Sequence, residues 1–305
     1  MIEVEEVISL PARRGIILAG GLGTRLHPMT VPVSKQLLPV YDKPMIYYPL
    51  SVLMLSGVRD IALITTPRDQ PQFQQLLGDG SKWGLEFTYL TQHGPGGVAE
   101  AYLVAEDFLA GAPSMMMLGD NVLYGSHLRD ALERAAVPRP GAQIFAYRVR
   151  NPEAFGVVSL DSGGHPVELV EKPEHPDSPW AVIGLYMLDG DAPARARQMS
   201  RSSRGELEII PLLDSYLNEG RLEVEVLGRG ISWLDTGTPQ SLLQASQFVS
   251  VLQERQGLQV ACPEEIAYRM GFIDAAALSD LAAGLKRTQY GAYLERLAEE
   301  DPGVG

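Results

Sequence analysis

The stretch Gly15-Ile16-Ile17-Leu18-Ala19-Gly20-Gly21-Leu22-Gly23-Thr24-Arg25-Leu26 constrains the fold more than any other. Ile16 to Ala19 is a short apolar run without alternation, the pattern of a parallel strand buried on both faces. Glycines then arrive at once, at 20, 21 and 23. They let backbone come close to a ligand, and successive bare N–H groups can cup an anion. Arg25 adds a planar cationic fork suited to phosphate, and Lys35 follows in Ser34-Lys35-Gln36-Leu37-Leu38-Pro39. A tight turn with surface bases is the bland alternative; the glycines together with Arg25 and Lys35 favour a phosphate-bearing ligand. Two common phosphate loops fit poorly. The P-loop requires Gly-Lys-Ser/Thr where this chain has Gly23-Thr24-Arg25, and the dinucleotide fingerprint requires a third glycine where Leu26 sits.

The rest of the chain supplies the sheet that such a strand needs. Strands are expected at 15–19, 60–65, 86–90, 114–118 and 143–149. Helices are expected at 45–56, 70–77, 98–108 and 128–136. This alternation predicts a doubly wound, mostly parallel α/β sheet of Rossmann-like form, with ligands at the carboxyl ends of its strands. The pattern changes near Asn151. Runs at 156–160 and 167–171 flank Asp161-Ser162-Gly163-Gly164, a hairpin turn. Further strands at 181–188, 222–227 and 231–234 and helices at 192–199 and 211–218 make a smaller β subregion. From Pro239 onward the pattern is helical: 241–255, 264–270, 275–285 and 290–299, a C-terminal appendage. The expected division is an N-terminal extension over 1–13, a main domain over 14–240 with halves meeting near 150, and a helical region over 241–305.

Composition narrows the function classes. A net charge of −13 disfavours nucleic acid or an anionic membrane as the main partner. An anionic ligand must therefore be gripped by local cations. One cysteine, Cys262, leaves no internal disulfide framework. The five histidines show no metal-ligand spacing. No apolar run is long enough to span a bilayer, and the acidic first residues lack the character of a secretory signal, so a reducing cytoplasm is expected.

Acids recur at strand ends. Met115-Met116-Met117-Leu118-Gly119-Asp120-Asn121 ends in Asp120 at the ligand edge. There a carboxylate can hold Mg²⁺ or cap a turn. Trp233-Leu234-Asp235-Thr236-Gly237 supplies a second such acid. Glu171-Lys172 closes the hairpin strand; by itself the pair reads as solvated surface, and Gly156 reads as an ordinary strand start. Gln92, in Gln92-His93-Gly94-Pro95-Gly96-Gly97, carries an amide that can donate and accept at once, matching a pyrimidine edge; the loop is otherwise a flexible turn. Arg204-Gly205-Glu206-Leu207-Glu208 can hold phosphate or cap a helix. No Gly-x-Ser-x-Gly nucleophile is present.

Taken together, the glycine loop through Arg25, the run 34–50, Leu118-Gly119-Asp120-Asn121, Glu171-Lys172-Pro173, Arg204-Gly205-Glu206-Leu207-Glu208-Ile209, Trp233-Leu234-Asp235-Thr236-Gly237-Thr238 and the tail 260–269 resemble sugar-1-phosphate nucleotidyltransferases, in particular those that transfer thymidylyl groups to glucose 1-phosphate. The resemblance covers 14 to about 297. It implies attack of glucose 1-phosphate on the α-phosphorus of dTTP, with Mg²⁺. Arg25, Lys35 and Lys172 would be catalytic. Leu18, Gly20, Gly21, Gly23, Thr24, Arg25, Gln36, Gln92, Gly97 and Asp120 would contact the nucleotide, and Asn121, Gly156, Glu171, Lys172, Val182 and Arg204 the sugar. Asp120 and Asp235 would hold the metal. A homotetramer is implied, with a second dTDP-sugar site at a subunit contact formed partly by the helical tail. The chain departs from the usual pattern at Gly96, Val98 and Glu100, at Phe155, at Ile183 and at Ile210-Pro211. UTP or another hexose 1-phosphate is the alternative substrate, and a non-catalytic nucleotide-sugar sensor the alternative role.

Overall fold

The computed structural model describes residues 12–136 and 139–299. The last residues of the helical region expected over 241–305 and most of the extension expected over 1–13 lie outside them. The strands, in chain order, are β1 (Arg14–Ala19), β2 (Pro39–Val40), β3 (Lys43–Pro44), β4 (Asp60–Thr65), β5 (Glu86–Thr91), β6 (Ser114–Leu118) and β7 (Asn121–Gly125), then β8 (Ala142–Arg148), β9 (Gly156–Leu160), β10 (Pro166–Glu171), β11 (Trp180–Leu188), β12 (Leu222–Val226) and β13 (Ile231–Asp235).

Nine of these form one sheet along the path β10-β9-β11-β6-β1-β4-β5, with β8 joined to β11 and β12 to β8. β6, β1, β4 and β5 run parallel, whereas β11 meets β6, β8 and β9 antiparallel. The chain leaves β1 toward β4 and β5, then returns to place β6 on the other side of β1. The boundary between β1 and β6 is thus the topological switch point, where strand ends leave a crevice.

The central strands have no alternation because both faces are covered. Ile17, Met115 and Met117 enter one core with Ile46, Leu50 and Trp83. Ile16 and Met116 enter the other with Tyr102, Tyr186 and Tyr216. A third core joins Leu26, Val40, Met45 and Tyr48 to Val122 and to Leu242, Ala245 and Val249 of the helix Pro239–Gln256. That helix starts at a capping box between Thr238 and Ser241 and ends at Gly257 in the left-handed region. Its packing on Leu26 fixes the residue next to Arg25.

Most expected elements are present within a residue or two. The helix expected over 98–108 is two shorter ones, Glu100–Val104 and Glu106–Leu109, separated at Ala105. The small sheets, β7 with β13 and β2 with β3, were not anticipated.

Candidate active site

β1 and β6 are in register through Leu18 and Leu118, and the Gly119 N–H donates to the Leu18 carbonyl at 2.9 Å. The glycine loop and Asp120 therefore leave the sheet side by side. Beyond β1 the chain tightens into a 3₁₀ turn, Thr24–Leu26, entered through Gly23 at φ 62°. A second such turn, Lys35–Leu37, lies beside it. Gly21, Gly23, Thr24, Arg25, Lys35, Gln36, Asp120 and Gly237 line one cavity of ≈ 180 Å³.

Lys35 is 5% exposed, and its ammonium donates to Asp120 Oδ2 at 2.6 Å. Burial alone pushes the Asp120 carboxyl up; the Lys35 charge and the hydrogen bonds from Lys35 and Asn121 outweigh it and hold Asp120 below its ordinary range. Asp235 behaves oppositely. Burial and the nearby Asp120 charge push its carboxyl up, against the pull of Lys35 and Arg25. These two acids come from different sheets. Asp235 lies opposite Asn121 in the β7–β13 ladder. The next residue straps the junction: the Thr236 hydroxyl donates to the Asp120 carbonyl at 2.7 Å, and its N–H does so at 3.2 Å.

Two converging carboxylates, one of them pushed up by burial and by the other's charge, suit a hard divalent cation with oxygen ligands. Among the described residues no group of three or more His, Cys, Asp or Glu side chains could hold a metal. Mg²⁺ characteristically takes one or two carboxylates and fills its shell with substrate phosphate and water, a demand that Asp120 and Asp235 meet in number and type.

Arg25 is exposed at the cavity mouth, with no hydrogen bond or ion pair among the described residues. A Cβ on Gly237 would lie 2.9 Å from Arg25 Nη2 and 2.9 Å from Asp235 Oδ2, so Gly237 is bare where the guanidinium and the acid pass.

Gln92, at the end of β5, is buried beside the glycine loop. Its side-chain N–H groups donate to the Gly97 carbonyl and to Glu100. Gly97 requires glycine twice over: its φ is +92°, and a Cβ would fall 2.3 Å from the Leu207 carbonyl oxygen. Gln36 is buried and accepts from the Ser34 hydroxyl at 2.8 Å. Leu18 packs against the second core and Val182 lies within it, so neither side chain lines the phosphate cavity.

The expected sugar residues form a neighbouring cluster. Lys172 pairs with Glu171 at 3.0 Å. Arg204 lies 4.0 Å from Glu171 and 2.7 Å from Glu208. Gly156 faces Ile210 and Glu171. None of these lines the phosphate cavity. Asn121 and Tyr186 connect the two groups. Asn121 is buried, donates to Asp120 at 2.9 Å and accepts from Trp233 Nε1 at 2.6 Å and from the Gly184 N–H at 3.2 Å. The buried Tyr186 phenol is pushed up by desolvation and then by the charges of Glu171 and Asp120. Trp233 stacks edge-on with Phe155 at 5.0 Å and Tyr147 at 6.0 Å.

Thr236, Trp233 and Arg201 support this site without having been singled out for it from sequence, as does Glu100, which stood out only as a departure from the usual pattern. For Thr236 and Trp233 the signal was adjacency to Asp235. For Arg201 there was none, since its partners are distant in the chain.

An α/β sheet with a cationic glycine loop at its switch point, facing two strand-end acids, defines an enzyme class that handles phosphate esters. Residues 14–251 match the nucleotidyl transferase family model, and the chain belongs to that family. A Xanthomonas campestris pv. campestris protein named glucose-1-phosphate thymidylyltransferase is 55% identical over 287 residues, covering 94% of this chain and 97% of that one. A Mycobacterium tuberculosis protein of the same name is 52% identical over 288 residues, covering 94% and 100%. A Bacillus anthracis crystal structure with sucrose, assigned provisionally to the same activity, superimposes with TM-score 0.72 at 36% identity over 78% of this chain and 95% of that one. A UDP-glucose pyrophosphorylase structure shares the fold at TM-score 0.70 and 22% identity, over 80% of this chain and 100% of that one.

Proposed function

We propose that this chain is a glucose-1-phosphate thymidylyltransferase, making dTDP-glucose and pyrophosphate from dTTP and glucose 1-phosphate. The observation that carries the reading is the convergence of Arg25, Lys35, Asp120 and Asp235 at the switch point. The match over almost the whole chain to relatives of that name supports it.

The sugar phosphate arrives ionised, so no general base is needed. One of its oxygens forms a bond to the α-phosphorus of dTTP while the bond from that phosphorus to the bridging oxygen breaks, and pyrophosphate leaves. The enzyme's task is to align two polyanions and offset their repulsion. Orientation can contribute about 7–11 kcal/mol to such a step. Gly21, Gly23 and Thr24 cradle the triphosphate, Arg25 takes the charge growing on the transferred group, and Lys35 steadies both phosphate and Asp120. Leu18, Gly20, Gln36, Gln92 and Gly97 enclose the nucleoside. Lys172 and Arg204 receive the sugar phosphate, while Glu171, Gly156, Asn121 and the Val182 backbone meet the sugar hydroxyls. Asp120 and Asp235 would hold Mg²⁺, which supplies charge neutralisation to the phosphates.

The proposal extends to a homotetramer, a cytoplasmic setting and a second dTDP-sugar site. A cavity of ≈ 290 Å³ between Leu55, Leu123, Tyr124, Ala261 and Ile266 supports the last. Among the described residues no helix is long and apolar enough to cross a membrane.

The test is pyrophosphate release from glucose 1-phosphate with dTTP, UTP, CTP, ATP and GTP in turn, with and without Mg²⁺. The expected result is Mg²⁺-dependent release that is fastest with dTTP. Release with none of the five would support a non-catalytic role.

A further inference from the structure

A glutamine amide can turn either its oxygen or its nitrogen toward a ligand, and the two choices select opposite hydrogen-bonding edges. At Gln92 the surroundings remove the choice. Nε2 lies 2.7 Å from Glu100 Oε2 and 3.2 Å from the Gly97 carbonyl oxygen. An ionised carboxylate and a carbonyl can only accept, so both amide hydrogens are committed. Turning the amide over would set its oxygen against two other oxygens, one of them carrying full charge.

Glu100 is itself restrained. Its other oxygen receives Arg201 Nη2 at 2.7 Å, and Arg201 Nη1 donates to the Gly205 carbonyl at 2.8 Å. Burial opposes ionisation of Glu100, but the bonds from Arg201 and Gln92 and the Arg201 charge outweigh it and keep the carboxyl below its ordinary range. The carboxylate fills space that only a glycine at 96 leaves open; a Cβ there would fall 1.5 Å from Glu100 Oε2. The segment is tied down by the Leu207 N–H on the Gly96 carbonyl at 2.8 Å and the Ala99 N–H on the Leu207 carbonyl at 2.9 Å.

Gln92 Oε1 then points the other way. It lies 2.9 Å from where a Cβ on Gly20 would be, at the carboxyl end of β1, and no donor among the described residues reaches it. We propose that Glu100, clamped by Arg201, is a positioning residue that locks the Gln92 amide with its oxygen toward the base, so that the pocket selects a pyrimidine carrying an N3–H donor. Thymine and uracil carry that donor; cytosine, with the same ring size, presents an acceptor at N3. The inference rests on the nucleotidyl-transfer reading, with Gln92 at the base.

The experiment compares kcat/KM for dTTP, dUTP and dCTP in the wild-type protein and in Glu100→Gln, Glu100→Leu, Arg201→Ala and Arg201→Lys. The wild-type panel tests the reading first. If no pyrimidine nucleotide reacts, the thymidylyl assignment fails; if dUTP matches dTTP, that assignment is revised and the clamp stands. In Glu100→Leu, which removes both acceptor oxygens at similar size, the dTTP:dCTP ratio falls at least about tenfold, the scale of one mispaired buried polar group, and in Glu100→Gln, which keeps one acceptor oxygen, it falls less. KM for dTTP changes more than kcat. Arg201→Ala moves the ratio the same way by less, and Arg201→Lys restores most of it. An unchanged ratio in folded Glu100→Leu overturns the proposal, as does an equal rise of KM for all three nucleotides.

Discussion

Arg25 Nη2 and Asp235 Oδ2 both lie beside the bare Cα of Gly237, which makes the guanidinium's position sensitive to small changes there. In Arg25→Ala, turnover should fall about 10²–10³-fold, the cost of removing one preorganised charge-stabilising donor. Because Arg25 is exposed, the thermal midpoint should stay within a few degrees. A variant with near-normal kcat would remove Arg25 from the mechanism. Gly237→Ala tests the same group from the other side. The new methyl would crowd Arg25 Nη2 and Asp235 Oδ2, both ends of flexible side chains, so the fold survives while the guanidinium shifts. A misplacement of about 1 Å can cost about 10²-fold; steady-state kinetics with a melting curve would show kcat lost and stability kept. At this scale the sequence displayed the candidate site residues openly, since Arg25, Lys35, Asp120 and Asp235 all sit in recognisable runs. Their supports were hidden. Nothing near Arg201 announces that it holds Glu100, because the pair joins a helix start to a loop 101 positions away. Phe155 and Ile183 likewise resolve only in three dimensions: the first stacks on Trp233, and the second is fully buried in the first core.

The strands that build the crevice could be read from their composition. β4 and β6 fall on the expected residues because continuous apolar runs bounded by polar or glycine positions leave little freedom. The β2–β3 hairpin could not be read, for it carries Pro39 and Pro44 in two-residue strands, and proline normally argues against a strand. β7 was obscured by serving two purposes, since Asn121 is both a site residue and the first residue of the ladder with β13. The loop after β5 depends on Gly97 meeting the Leu207 backbone. Gly97→Ala should displace that loop and raise KM for dTTP about tenfold or more, whereas KM for glucose 1-phosphate should move little; kinetics with each substrate varied in turn would tell. Leu26 works the opposite way, anchoring the Arg25 turn beneath the helix Pro239–Gln256. Leu26→Ala should cost about 2–5 kcal/mol of stability, measurable by denaturant unfolding, and should lower activity through the loosened turn.

Across the whole molecule, 25 Lys and Arg residues against 38 Asp and Glu leave an overall charge of −13, so the field of the protein repels both substrates. Raising ionic strength from about 0.01 M to 0.1 M shortens the screening length from about 30 Å to about 10 Å. Over that range kcat/KM for the nucleotide should rise about threefold, then decline as salt reaches the contacts with Arg25 and Lys35; a monotonic fall would contradict the balance drawn here. Removing divalent cations with a chelator should abolish pyrophosphate release, and added Mg²⁺ should restore it. The helical appendage was legible as helix but not as part of the catalytic support, because the third core that joins it to Leu26 assembles residues from both ends of the chain. The strap between Thr236 and Asp120 spans 116 positions in the same way. On a translating ribosome, the parallel strands can pair early, but the acid pair stays open until β13 has cleared the exit tunnel. A prematurely terminated chain would thus lack Asp235, the strap onto Asp120 and the helix that anchors the Arg25 turn.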